Sequence, residues 1–231
     1  MKPRISLIHA VRVAIDPVQE AFRRRWPEGE YVNLLEDALS PDLERAGVLT
    51  QAMFDRLFAL ADYSVSIGAS GILFTCSAFG EVIEAVARRV QVPVLKPNEA
   101  MFDAALEAGS RIGMLATFPP SVPSMEEEFR RMAAKAGSRA TIQTHCVPEA
   151  LIALKAGDAA THDRLLAEAA PRMRGFDAVL LAHFSTARAE PVVTPLVDAP
   201  VYTSPDSAVE KLRSLITAPV PFTHSADLEA R

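Results

Sequence analysis

Cysteine is scarce, with only Cys76 and Cys146 in 231 residues, too few for a disulfide framework. The expectation is a chain with reduced thiols in the cytoplasm. Ten glycines disfavour a phosphate-cradling loop, and no G-x-G-x-x-G, Walker A, G-x-S-x-G or H-E-x-x-H motif occurs. Nucleotide binding, the hydrolase elbow and zincin chemistry therefore have no motif support. No apolar run approaches the roughly 18 residues of a membrane span, and the first residues, MKPRISLIHAV, are too short an apolar stretch for a signal peptide. Cationic excess is missing too: the net charge is −5, and no dense Lys/Arg cluster appears. Nucleic acid and anionic membranes are thus not expected partners. The five histidines, His9, His145, His162, His183 and His224, lack metal-ligand spacing. His145 and Cys146 are neighbours on a strand pattern and point to opposite faces, so no metal is expected.

What is present is a chain 49% hydrophobic and 23% charged, long enough for a large core. Short β-type runs alternate with amphipathic helical patterns, which predicts an α/β fold with parallel sheets. Strands are expected at 4–9, 30–35, 71–75, 92–95, 111–116, 140–145, 178–182 and 201–203. Helices are expected at 17–25, 51–67, 125–136 and 162–173, among others. The basic runs Arg23–Arg25 and Arg88–Arg89 lie on helical patterns and read as solvated faces.

An internal repeat runs at an offset of 107 residues. It relates Ile5 to Ile112, Phe22 to Phe129, Arg23-Arg24 to Arg130-Arg131, Leu73 to Leu180 and Pro93-Val94 to Pro200-Val201. The implied fold is two similar parallel-sheet lobes about a pseudo-two-fold axis, with the active site in the cleft between them. Residues 1–105 would form the first lobe and 106–216 the second, with the last helix free to pack on the first. Residues 217–231 lose periodicity and are expected to be a mobile tail.

Cys76 ends the apolar run GILFTCSAFG, at a strand's carboxyl end and a helix's amino end, where α/β sheets place ligands and a helix dipole favours thiolate. The offset maps Cys76 on His183, in AVLLAHFSTARAE, and Ala10 on Thr117. Backbone N–H groups at Ser77, Ala78 and Phe79, and again at Ser185 and Thr186, could hold a carboxylate or an enolate oxygen. An acid/base group on each face of an α-carbon suits proton removal from one side and delivery to the other, with no cofactor. Each residue also has a plainer reading. Cys76 could be core filler, His183 a satisfied core or capping histidine, and Thr117 a helix cap rather than a carboxylate ligand. Arg12 could be a charge partner or an ordinary surface arginine, and Cys146 reads as structural.

RIGMLATF, GILFTCSAFG, DAVLLAHFSTARAEP and the duplicated plan together resemble the aspartate/glutamate/hydantoin racemase family, which also includes maleate isomerase and arylmalonate decarboxylase. The resemblance spans residues 4–215. It implies that Cys76 is the first catalytic cysteine and that Thr117 contacts substrate. It also implies a small anionic substrate and, as in many relatives, a homodimer. The racemases carry a second cysteine where this chain has His183, with Ser185 as the alternative occupant. The leading expectation is a cofactor-independent racemase or isomerase of an amino acid or hydantoin. A one-base decarboxylase or lyase is the alternative, and a non-catalytic two-lobed ligand-binding protein the third.

Overall fold

The computed structural model describes residues 2–218; the remaining tail, with His224 and most of the segment expected to be mobile, lies outside the described residues. The first half runs β1 (Arg4–His9), α1 (Ile15–Arg25), β2 (Glu30–Leu35), α2 (Leu39–Ala46), α3 (Gln51–Ser66), β3 (Gly71–Phe74), α4 (Gly80–Arg89), β4 (Val94–Leu95) and α5 (Glu99–Ala108). The second runs β5 (Arg111–Ala116), α6 (Val122–Lys135), β6 (Thr141–Cys146), α7 (Pro148–Lys155), α8 (Ala159–Ala169), β7 (Ala178–Leu181), α9 (Glu190–Val193), β8 (Val201–Thr203) and α10 (Ser204–Thr217). Two four-stranded sheets result, ordered β2-β1-β3-β4 and β6-β5-β7-β8. Every pairing is parallel.

The α/β architecture with two similar lobes is the one the sequence pattern implies. The central strands are covered on both faces, so they read as continuous apolar runs. Along β1, Ile5 and Leu7 join one core with Val18, Phe22 and Trp26, while Ile8 joins another with Leu57, Phe74 and Val82. Alternate residues of β5 divide likewise, Ile112 and Met114 to one side and Leu115 to the other.

The 107-residue offset relates β1 to β5 and β3 to β7 without error, but it is not ungapped. Edge strands β2 and β6 begin at Glu30 and Thr141, four residues out of step. α6 has 14 residues against 11 in α1, and α8 has 11 against 16 in α3, so length gained early is returned before β7.

The last helix of each half crosses to the other half. α5 sends Met101, Phe102 and Ala105 into the core of the second sheet, where Phe102 meets Phe129 edge-on at 5.6 Å. α10 sends Ala208, Val209 and Leu212 into the core of the first. Its approach is close enough that a Cβ on Gly71 would lie 2.9 Å from Ile216 Cδ1. A boundary at residue 105 would fall inside α5. Polar contacts lock the exchange: the buried Asp206 carboxylate accepts from Arg24 Nη2 at 2.9 and 3.0 Å, and Lys211 pairs with Asp103 at 3.2 Å. Among the described residues no helix is long and apolar enough to cross a membrane, and no group of three or more His, Cys, Asp or Glu could hold a metal ion.

Candidate functional site

All four central strands deliver their carboxyl ends to one region. Beyond β3 the chain is held by Thr75, whose N–H donates to Ile8 O at 3.0 Å. His9, fully buried, stands between Thr75 Oγ1 (2.9 Å from Nδ1) and Asn33 Oδ1 (3.0 Å from Nε2). Asn33 Oδ1 can only accept, so Nε2 carries the proton and Thr75 donates to Nδ1. Burial pushes the His9 pKa down, against a smaller opposing effect of the Asn33 bond, so the ring is neutral. This network anchors the residue immediately before Cys76.

Cys76 is half-buried and packs against the core of α3 and α4. It precedes a single 3₁₀ turn, Ser77–Phe79, and α4 begins only at Gly80. The sequence-based expectation of a depressed thiol pKa fails here. Desolvation raises it, outweighing the Ala78 N–H and the Ser40 hydroxyl that favour thiolate. A three-residue turn aims one N–H at sulfur, where a full helix end would align several. The resting group is therefore a thiol. The single Ser40 hydroxyl proton is contested by Ala10 O, 3.1 Å from Oγ, so Ser40 favours the thiolate only in competition with that carbonyl.

Beyond β7, His183 has φ 72° and ψ 147°, and it is the one non-glycine residue with positive φ among those described. Glycine alone takes that region readily, so the strain is of order 1–3 kcal/mol. Cys76, its equivalent, has an ordinary extended backbone, so the two halves part company at this residue. His183 Nε2 lies 2.7 Å from Ser121 Oγ, whereas Nδ1 is buried with no hydrogen-bond partner. Burial lowers the imidazole pKa to about 4, the Ala182 backbone pulling weakly the other way.

Leu115 of β5 is in register with Leu181 of β7, and Thr117 and His183 each follow two residues beyond that pair. Thr117 Oγ1 is also buried and unpartnered. Among the described residues five buried side-chain polar atoms lack a partner, and Thr117 Oγ1 and His183 Nδ1 are two of them. Each such atom costs about 1–3 kcal/mol when nothing bonds it.

The two sets of strand ends face each other. The turn Arg12–Ala14 after β1 lies against the turn Phe184–Ala189 after β7. Ser77 and Gly80 share a cavity of about 130 Å³ with Ser124 and Met125 of α6. Ser77 and Ala78 are exposed and Ser185 is half-buried, which leaves them open to a ligand. Thr186 is buried, and its hydroxyl donates within its own turn to the Ala182 and His183 carbonyls. Arg12 is exposed, and its guanidinium lies 2.8 Å from the Asp37 carboxylate. Cys146 packs at the edge of the second core. A larger groove of about 710 Å³ lies along α4, α5 and α6, lined by Glu84, Lys96, Glu128 and Arg131 among others, and neither it nor the 130 Å³ cavity has Cys76 or His183 in its lining. Ser40, His9, Asn33 and Ser121 carry no motif. The sequence signal among them is position alone: Ser40 and Ser121 fall in the segments after Glu36 and Pro119, just beyond a strand's carboxyl end.

The family model described as Asp/Glu/Hydantoin racemase matches residues 14–217. No curated protein matches the chain. Similar solved structures include an allantoin racemase from Klebsiella pneumoniae, at TM-score 0.68 and 18% identity over 93% of this chain and 88% of that one. The Gly74Cys mutant of arylmalonate decarboxylase aligns at TM-score 0.69 and 16% identity, over 94% and 95% of the two chains. An aspartate racemase homologue from Pyrococcus horikoshii aligns at TM-score 0.71 and 16% identity, over 94% and 99%. At these identities the structures share the fold.

Proposed function

The chain belongs to the Asp/Glu/hydantoin racemase family, and on that premise we propose that it is a cofactor-independent racemase or isomerase acting at the α-carbon of a small carboxylate or hydantoin-type substrate. The observation that carries this reading is the pair of orphaned buried atoms, His183 Nδ1 at the position equivalent to Cys76 and Thr117 Oγ1 at the end of the neighbouring strand β5. Unsatisfied polar atoms beside a strained residue await a ligand.

The protonation states supply the chemistry. Cys76 rests as a thiol and His183 as a neutral imidazole, one acid and one base. The Cα–H bond breaks, its proton goes to His183, and its electron pair passes into an enediolate. The Cys76 S–H bond then breaks and delivers its proton to the opposite face. Imidazolium and thiolate remain, which is the state required to run the other enantiomer. In this reading the Ser77, Ser185 and Thr117 hydroxyls and the N–H groups of Ser77 and Ala78 hold the carboxylate and its developing charge.

A second reading is favoured by one observation: a thiol kept protonated by burial is a ready acid. In a one-base lyase, loss of carbon dioxide would leave an enediolate that Cys76 protonates, the thiol then recovering its proton from water. Incubation in D2O with both enantiomers of aspartate, glutamate, allantoin and 5-substituted hydantoins, and with α-aryl malonates, separates the readings. Racemisation predicts solvent deuterium at Cα, with Cys76→Ala and His183→Asn each losing about 100-fold or more. Decarboxylation retained in His183→Asn but lost in Cys76→Ala would favour the lyase. No exchange and no turnover on any of these would discard both.

A further inference from the structure

We propose that Ser121 is a positioning residue that holds His183 in its Nε2–H tautomer and so leaves Nδ1 as the basic atom of the ring. This rests on the role given to His183 above. Ser121 occupies the turn Pro119–Ser121, between Thr117 and α6. Its hydroxyl has one proton, and Oγ lies 2.9 Å from Phe118 O, an atom that can only accept. With that proton donated to Phe118, Oγ offers His183 Nε2 only lone pairs across their 2.7 Å contact. The ring must then be the donor, and Nδ1 is left bare.

The rival assignment places the proton on Nδ1, towards the Ala182 carbonyl, and turns the Ser121 hydroxyl round to Nε2. Nδ1 has no partner of hydrogen-bond geometry, so that tautomer would bury an unsatisfied N–H. A bare Nδ1 leaves no donor unpaired, and its lone pair is the group a base needs. The repeat supplies an independent observation. The residue equivalent to Ser121 in the first half is Ala14, which has no hydroxyl. The first half presents a thiol, which has no tautomer to fix, and the second presents an imidazole, which has. When His183 takes a proton, Nε2–H stays bonded to Ser121, so the hydroxyl also steadies the imidazolium.

The test is nitrogen NMR of the full chain carrying ¹⁵N-histidine, with the His183 signals identified by their loss in His183→Asn. The wild type should show a pyrrole-type Nε2 and a pyridine-type Nδ1. Ser121→Ala should give a mixture of tautomers and a kcat lower by about tenfold or more with KM little changed. Ser121→Thr should restore both. A pyrrole-type Nδ1 in the wild type, or an unchanged tautomer in Ser121→Ala, overturns the proposal. If the tautomer is as stated but no substrate exchanges its α-proton, the functional reading falls while the assignment of Ser121 stands.

Discussion

Acidification from pH 7 to 4.5 should destabilise the folded chain through His183 by about 2 kcal/mol. In the fold the imidazole titrates at about 4; in the unfolded chain it titrates near 6.5. Between those values the unfolded state holds a proton that the folded state refuses, so stability falls as pH falls. At pH 4.5 the unfolded histidine is nearly all protonated and the folded one about a quarter so, which gives most of a ceiling near 3.4 kcal/mol. His9 and His145 are shifted the same way by burial, and carboxylates titrate in the same range, so the wild-type slope alone does not isolate His183. The difference between wild type and His183→Asn does, because every other group cancels. Asparagine and histidine both carry a Cβ at this strained φ and ψ, so the backbone cost is common to both and the variant should fold as the wild type does. Urea denaturation followed by fluorescence of Trp26, the single tryptophan and buried, measures stability at each pH. The wild type should lose about 2 kcal/mol more than the variant between pH 7 and 4.5. Equal losses would mean that His183 is already charged or hydrated in the fold, and the neutral-base argument would collapse.

Alkylation of Cys76 in a Cys146→Ser background should be slower than that of a free cysteine at neutral pH, rising only in alkaline solution. Ser40→Ala should slow it further by removing a hydroxyl that favours the thiolate, with iodoacetamide kinetics as the check. Phe129→Ala, which empties a fully buried site against Phe102, should cost about 3–5 kcal/mol in urea denaturation. Asp206→Ala should cost about 2 kcal/mol, between the values for an exposed and a buried pair because Arg24 is partly exposed. Thermal denaturation with and without 1 M salt tests this, since a half-buried pair keeps most of its effect when screened.

The central strands were legible because burial on both faces writes them as apolar runs, and Cys76 was legible as the residue that ends one. His183 needed the repeat: nothing in LLAHFS marks the histidine until the offset of 107 pairs it with Cys76. The slip at β2 and β6 escaped because compensating changes in helix length leave the later register intact. The sequence leaves the last helix free to pack on the first lobe, but helical periodicity gives α5 and α10 an apolar face without the sheet that receives it, so the reciprocal exchange is a tertiary fact. The thiol pKa went the other way from expectation for a similar reason. Position at a turn favours thiolate, but the packing of α3 and α4 sets the desolvation, and desolvation is larger. Ser40 and Ser121 were illegible because a lone serine gains meaning only from the atom it meets.

The account depends on Cys76 and His183 lying on opposite faces of one α-carbon. The most direct measurement is a crystal structure with a substrate or an unreactive analogue bound. It should place Cα between Cys76 Sγ and His183 Nδ1, about 3–3.5 Å from each, with the carboxylate on Thr117 Oγ1. A ligand bound with both groups on the same side of Cα, or away from His183 altogether, would contradict it.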